Sequence, residues 1–409
     1  MESVGCAIDA SIFPRDGFVR SETARLMRVG DYFPSRESLH RDIGNDILYQ
    51  LCESHPLPAA CICNDGVSAE ELREQEGILA GKMWVIGRSY AASPERYAYV
   101  KSGKSRKPPE RSAEGYESFF NDVSAILFEG EPYFRGCGAK EEGGGFWEKA
   151  EVHASEAKGW FREALDVVHE LASKTYGLRG GSNDVDILKK VADAVTTFGS
   201  AIQEARAARD WTIIACNNES ENKSDGEEES GEIRVEDQYF PLSFSSKFLH
   251  FHLPRLVFIY DSISGDILAP NHRCCYFGGF GRRASGEVGQ FKIDCNHAMG
   301  RKVGDDPSRK YFLHAAKELA LATAISGFFQ DQEGNEDVRE AIEKGRIDVD
   351  SGIPCYINIT RMIDALVTNS KKETDKNKIP PTPVDAFTGR VTWEAKADDI
   401  LPIKEAESQ

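Results

Sequence analysis

Three long stretches of this chain repeat their apolar residues at intervals of three and four. A chain so patterned buries those residues only by forming amphipathic helices that pack on one another. SEAKGWFREALDVVHELASKTYG sets Trp160, Phe161, Leu165, Val168 and Leu171 with Ala172 on one stripe, with Ser155 placed to cap its start and Gly177 to end it. DVDILKKVADAVTTFGSAIQEARAARD carries Ile187, Val191, Val195 and Phe198 in register, and SRKYFLHAAKELALATAISGFF predicts a third helix ending near Gly327. NITRMIDALVTN predicts a shorter one that starts near Asn358 or Thr360. Strand signals are thin: WTIIAC from Trp211, LVFIY from Leu256 and VTWEA from Val391. GKMWVIGRSYAASPERYAYV reads as a glycine turn opening a helix, whose small residues Ser89, Ala91, Ala92 and Ser93 suit close packing. Arg88 and Arg96 flank it, either snorkelling to water or free to meet a phosphate. The expected fold is mainly α with a few short strands.

Breaks in the period divide the chain. NNESENKSDGEEESGE, from Asn217, is small, acidic and aperiodic, the composition of a solvated linker or long loop. Expected portions are therefore residues 1–216, an acidic linker at 217–237, and residues 238–409, giving two helical subdomains with a cleft between them. Inside the first portion lie a basic, proline-containing loop at 101–115 and a glycine-rich loop at 136–145. The 409 residues allow two or three domains with real cores.

Charge limits the partners. The chain carries a net −17, and Glu219 to Asp237 hold nine acids against Lys223 and Arg234, so −10 remains outside that segment. Non-specific grip on a polyanion needs clustered Lys and Arg, so a nucleic-acid contact has to be a local patch. No run approaches the ~18 apolar residues of a bilayer span, so no membrane partner is expected. The N-terminus lacks a basic region followed by an apolar one, so no signal peptide is read and a cytoplasmic location is expected. Its ten cysteines are then mostly thiols, core residues or metal ligands.

The chemistry-bearing stretch is YFPLSFSSKFLHFHLPRLVFIYDSISGDIL, residues 239–268. Ser243, Lys247, His250 and Pro254 fall on one face of a helix, beside a stripe of Phe244, Phe248 and Phe251. A lysine at the edge of such a stripe sheds hydration, which frees its lone pair for attack. An apolar run then ends on Asp261, a carboxylate that needs a cation or donor nearby, and Ser262 can cap the helix after it.

That order of lysine helix, proline and apolar run to an aspartate resembles the core of the helix-hairpin-helix DNA glycosylases, in particular the 8-oxoguanine glycosylase-like branch. The likeness covers about thirty residues. It implies a nucleophilic role for Lys247 and a role for Asp261 in stabilising cationic character at the sugar carbon. DNA is the implied partner, the substrate a damaged or modified base, and no cofactor is called for. His250, His252 and Tyr260 are candidate substrate contacts, with Arg282 and Arg283 as a local basic patch. Tyr239, Phe240, Phe248 and Phe251 are either stacking surface for an extruded base or core. Repair and defence against phage DNA both stay open. The chain departs from the pattern in three ways: FPLSFSS stands where a glycine-rich hairpin is expected, the Lys247–Asp261 spacing is short, and the net charge is acidic. The competing reading is a non-catalytic, partner-binding helical protein in which Lys247 and Asp261 form a structural ion pair.

Two cysteine–histidine groups have metal-ligand character. His272, Cys274, Cys275, Cys295 and His297 form two close sets, in a segment whose plainer reading is a flexible basic loop. Cys52, His55, Cys61 and Cys63 form the second group, with buried thiols as its plainer reading. VTWEAK, with Glu394 and Lys396, has the end of a nuclease core without an upstream acid to complete it. No phosphate-binding glycine loop, H-E-x-x-H or G-x-S-x-G is present.

Overall fold

The computed structural model describes residues 43–63, 67–89, 113–133, 145–173, 184–220, 240–260, 306–330, 346–347, 355–356 and 360. Among them are seven α-helices: α1 (Ile43–Ser54), α2 (Ala69–Ser89), α3 (Ala113–Glu129), α4 (Gly145–Ala172), α5 (Asp184–Ser220), α6 (Leu242–His252) and α7 (Pro307–Gln330). A 3₁₀ turn covers Ala60–Cys63, and two short strands, β1 (Arg346–Ile347) and β2 (Cys355–Tyr356), pair antiparallel with Arg346 opposite Tyr356. The protein is mainly α, as the periodicity predicts. No helix among the described residues is long and apolar enough to cross a membrane. The chain forms two compact units, each assembled from separated stretches: residues 51–174 with 193–252, and residues 1–50, 175–192 and 253–409.

Helix ends follow local chemistry. Ser68 caps α2, its Oγ accepting the Glu71 N–H at 3.2 Å, with Glu70 and Glu71 in the first turn against the positive end of the dipole. α3 stops at Gly130, whose φ of +71° is open to glycine at little cost, and whose N–H closes on the Ile126 carbonyl at 2.8 Å. Asp306 caps α7 through the Ser308 N–H at 3.0 Å, with Pro307 at the first helical position.

Several expectations are corrected. α4 begins at Gly145, ten residues before Ser155, because the stripe runs back through Ala157, Ala154, Ala150 and Trp147 without a breaker. Trp160 lies off that stripe and is 38% exposed. WTIIAC is the last part of α5 rather than a strand: the helix-forming ARAARD before it carries the coil onward, and Trp211 and Ala215 are buried. α5 also extends through Asn217 to Ser220, so the predicted linker begins as helix. Gly81 sits inside α2 rather than in a turn, with open space around it. Leu256–Tyr260 pairs with no strand among the described residues. Residues 101–112, 134–144 and 221–237, with Val391 and the VTWEA run, lie outside the described residues.

In the unit of residues 51–174 and 193–252, α4 and α5 run side by side in opposite directions. Phe146 stacks on Trp211, His153 meets Glu204, and Phe161 meets Phe198, so positions rise on one helix as they fall on the other. Buried alanines at 150, 154 and 157 on α4 and at 201, 205 and 208 on α5 lie at matching levels. A continuous file of rings crosses this core: Phe128–Phe161–Phe198–Phe248–Phe244–Phe120–Phe119, with centroid separations of 4.8–6.3 Å. It ties together α3, α4, α5 and α6.

Candidate functional site

α6 is a helix with almost no water-facing side. From Phe244 to Phe251 every residue is buried, Ser245, Ser246, Lys247 and His250 included. Two hydroxyls in this segment turn back on the backbone: Ser245 Oγ donates to the Pro241 carbonyl at 2.9 Å and Ser246 Oγ to the Ser243 carbonyl at 3.1 Å. Gly199 of α5 makes room for its entry, since a Cβ there would stand 2.5 Å from the Phe240 ring and 3.2 Å from Ser245 Oγ. Phe248 stacks flat on Phe198 at 4.8 Å and 9°, which fixes the rotation of α6 about its own axis. Lys247, the predicted nucleophile, is 5% exposed on this helix. His250 is fully buried with its ring edge-on to Phe251, and His252 lies against Phe248 at 5.0 Å.

The same unit holds a second interior lysine, which the sequence reading passed over. Lys82 of α2 is 2% exposed, and its Nζ donates to the His55 carbonyl just beyond the end of α1. Burial lowers the Lys82 amine below the usual lysine range, with the neighbouring Cys52 thiol pulling the other way. Cys52 is itself pushed up to about 12 by burial, against the pull of Lys82, so it is an unreactive thiol. Burial, and then the Lys82 charge, holds His252 well below the ordinary histidine range, so this imidazole is neutral. Its Nε2 is buried and finds no hydrogen-bond partner among the described residues. A signal for Lys82 exists in the sequence: Leu79, Lys82, Met83 and Ile86 share one helical stripe, and a cation on an otherwise apolar stripe marks an interior charge.

In the other unit, residues 253–260 lead towards Asp261. Leu256 to Tyr260 are all buried. Their carbonyls are taken by side chains instead of a partner strand: Tyr311 OH donates to Phe258 at 3.0 Å and His314 Nε2 to Ile259 at 2.9 Å. Thr360 Oγ1 donates to the Pro254 carbonyl. Tyr260 sets its ring edge-on to His314, with the Lys310 amine 5.5 Å from its centre. Asp261, Ser262, Tyr239, Arg282, Arg283, His272, Cys274, Cys275, Cys295, His297, Glu394 and Lys396 lie outside the described residues. In the second metal candidate, Cys52 and Cys61 are free thiols, buried and exposed respectively. Cys216 is disulfide-bonded. Among the described residues, the group that converges as metal ligands would is His153, Glu156 and Glu204.

In the unit of residues 51–174 and 193–252, the Glu76 carboxyl is shifted towards neutrality. Burial, and then the charge of Glu129, raises Glu76 to about 7 against the pull of Arg73. A raised acid stabilises the fold fully below its unfolded value of about 4.5, and that contribution is lost as pH rises through about 7. Glu76→Gln is therefore expected to lose less stability than wild type between pH 5 and pH 8. The gain is a few degrees of melting temperature at most, because Glu76 is half exposed and solvent screens it. Parallel melting curves of the two proteins over that range would refute this.

No family model matches the chain, and no curated protein or solved structure matches it either.

Proposed function

We propose that the protein is a DNA glycosylase-like enzyme that removes a damaged or modified base, with Lys247 as nucleophile and Asp261 as electrostatic stabiliser. One observation carries this reading: the Lys247 side chain is buried, on a helix otherwise made of phenylalanine, leucine, serine and histidine. Desolvating an ammonium is expensive, and an amine withheld from water is suited to attack on carbon. Support also comes from the segment before Asp261, which Tyr311, His314 and Thr360 hold by its carbonyls. A carboxylate that stabilises a developing cation has to be held in place before the reaction.

In the proposed step the Lys247 amine attacks the sugar anomeric carbon. An N–C bond forms, the bond to the base breaks, and the base departs with the electron pair and takes up a proton. Ring opening then leaves a Schiff base on Lys247. A flipped base has to be received in such a reaction, so the DNA partner reading stands or falls with it.

Borohydride trapping tests this, on duplex and single-stranded oligonucleotides carrying damaged and modified bases. A covalent adduct is expected with the wild type and none with Lys247→Gln, while base release falls by orders of magnitude in Asp261→Asn. Base release without an adduct, lost in Asp261→Asn, would remove Lys247 from the nucleophile role. No release from any substrate, with both variants merely less heat-stable, would favour a partner-binding protein holding an internal ion pair.

A further inference from the structure

We infer that His153, Glu156 and Glu204 form a binding site for a divalent transition-metal cation, a site independent of the Lys247 chemistry. α4 supplies His153 and Glu156, three residues apart and therefore on one face, while α5 supplies Glu204 at the matching level. His153 Nδ1 stands 2.7 Å from Glu204 Oε2, and one ligand atom from each of the three residues lies within 4.8 Å of the other two. Metal bonds of about 2.0–2.2 Å place neighbouring ligands roughly 3.3–4.3 Å apart, so a small rotamer adjustment closes the set.

The His153–Glu204 contact alone is an ordinary hydrogen bond, and Glu156 is what exceeds it. A second carboxylate brought beside Glu204 is repelled unless a cation lies between them. Among the described residues neither glutamate has a lysine or arginine partner. A dication answers that arrangement: a neutral imidazole and two carboxylates balance its charge. The set of one nitrogen and two oxygens suits Zn²⁺, Fe²⁺ or Mn²⁺ better than a thiolate-seeking ion. Three protein ligands leave coordination positions open, the pattern of sites that bind water or substrate. Entry is available past the exposed Glu156, while the other two side chains are mostly buried, at 20% and 14% exposure. The frame is firm, since the alanines at 150, 154, 201 and 205 around these ligands are fully buried.

The full-length protein, stripped with a chelator, is titrated with Co²⁺ by visible absorption and with Zn²⁺ by calorimetry. One Co²⁺ site with d–d bands and no intense sulfur charge-transfer band is expected, displaced by Zn²⁺. Glu204→Gln retains the hydrogen bond to His153 and so the fold. It and Glu156→Gln should each weaken Co²⁺ binding at least as much as loss of an outer-shell partner does, about 10–100-fold. A sulfur charge-transfer band would move the ion to cysteines and overturn the assignment. Unchanged affinity in both variants would overturn it too, as would no binding up to millimolar Co²⁺ and Zn²⁺.

Discussion

Phe248→Ala is expected to destabilise the unit of residues 51–174 and 193–252 by about 3–5 kcal/mol. Phe248 is fully buried at the middle of the ring file, stacked on Phe198 and in contact with Phe244 and His252. Truncation removes its transfer free energy and leaves a void between α5 and α6, and both effects destabilise in the same direction. The neighbours cannot easily fill that void, because each ring is held by the next. Phe248→Leu retains most of the volume and is expected to lose under half as much. Denaturant unfolding followed by far-ultraviolet circular dichroism measures both. A shift of under about 1 kcal/mol for Phe248→Ala would mean that the file is loosely held.

Asp122→Ala should be comparably severe, at about 3–5 kcal/mol, for an electrostatic reason. Asp122 is fully buried on α3, where it accepts from Arg209 Nε at 2.8 Å and from Ser118 Oγ at 3.2 Å. The Arg209 side chain is mostly buried and lies 5.4 Å over the Phe119 ring. Removing the carboxylate takes away the partner at 2.8 Å from a guanidinium in a poorly solvating place, which costs more than the pair contributes while intact. The double variant Asp122→Leu with Arg209→Met should therefore recover much of the loss. Melting temperatures of the single and double variants decide it, and equal losses in both would locate the effect in packing instead.

The sequence is legible where one signal runs unopposed. Ile187, Val191, Val195 and Phe198 keep an unbroken period, and all four are buried in α5 as that period predicts. It misleads where a local residue mimics a boundary. Ser155 looks like a cap, yet Ala154 and Glu156 are good helix formers, and burial of Trp147 and Ala150 draws the helix ten residues further back. WTIIAC is short, aromatic and β-branched, a run that periodicity alone assigns to either structure, and its attachment to the end of α5 decides the outcome. For Lys247, the sequence placed the residue on a helix beside a phenylalanine stripe, and the structure shows both. It left open which faces of that helix meet water, because α6 is buried on nearly all sides and has no polar face to read. Lys82 was missed because Gly81 and Gly87 suggest a break, whereas both lie within α2.

The opposed run of α4 and α5 bears on how this chain can change over generations. Its pairings, Phe146 with Trp211, His153 with Glu204 and Phe161 with Phe198, depend on the number of residues between them. One residue inserted within either helix rotates everything beyond it by about 100° and shifts it by about 1.5 Å, so the remaining pairs separate together. A single side-chain replacement disturbs one level and leaves the others matched. Descendants of this chain can therefore exchange residues along the pair more freely than they can gain or lose them, and length changes belong at the helix ends. In this pair the count of residues is inherited more strictly than their identity.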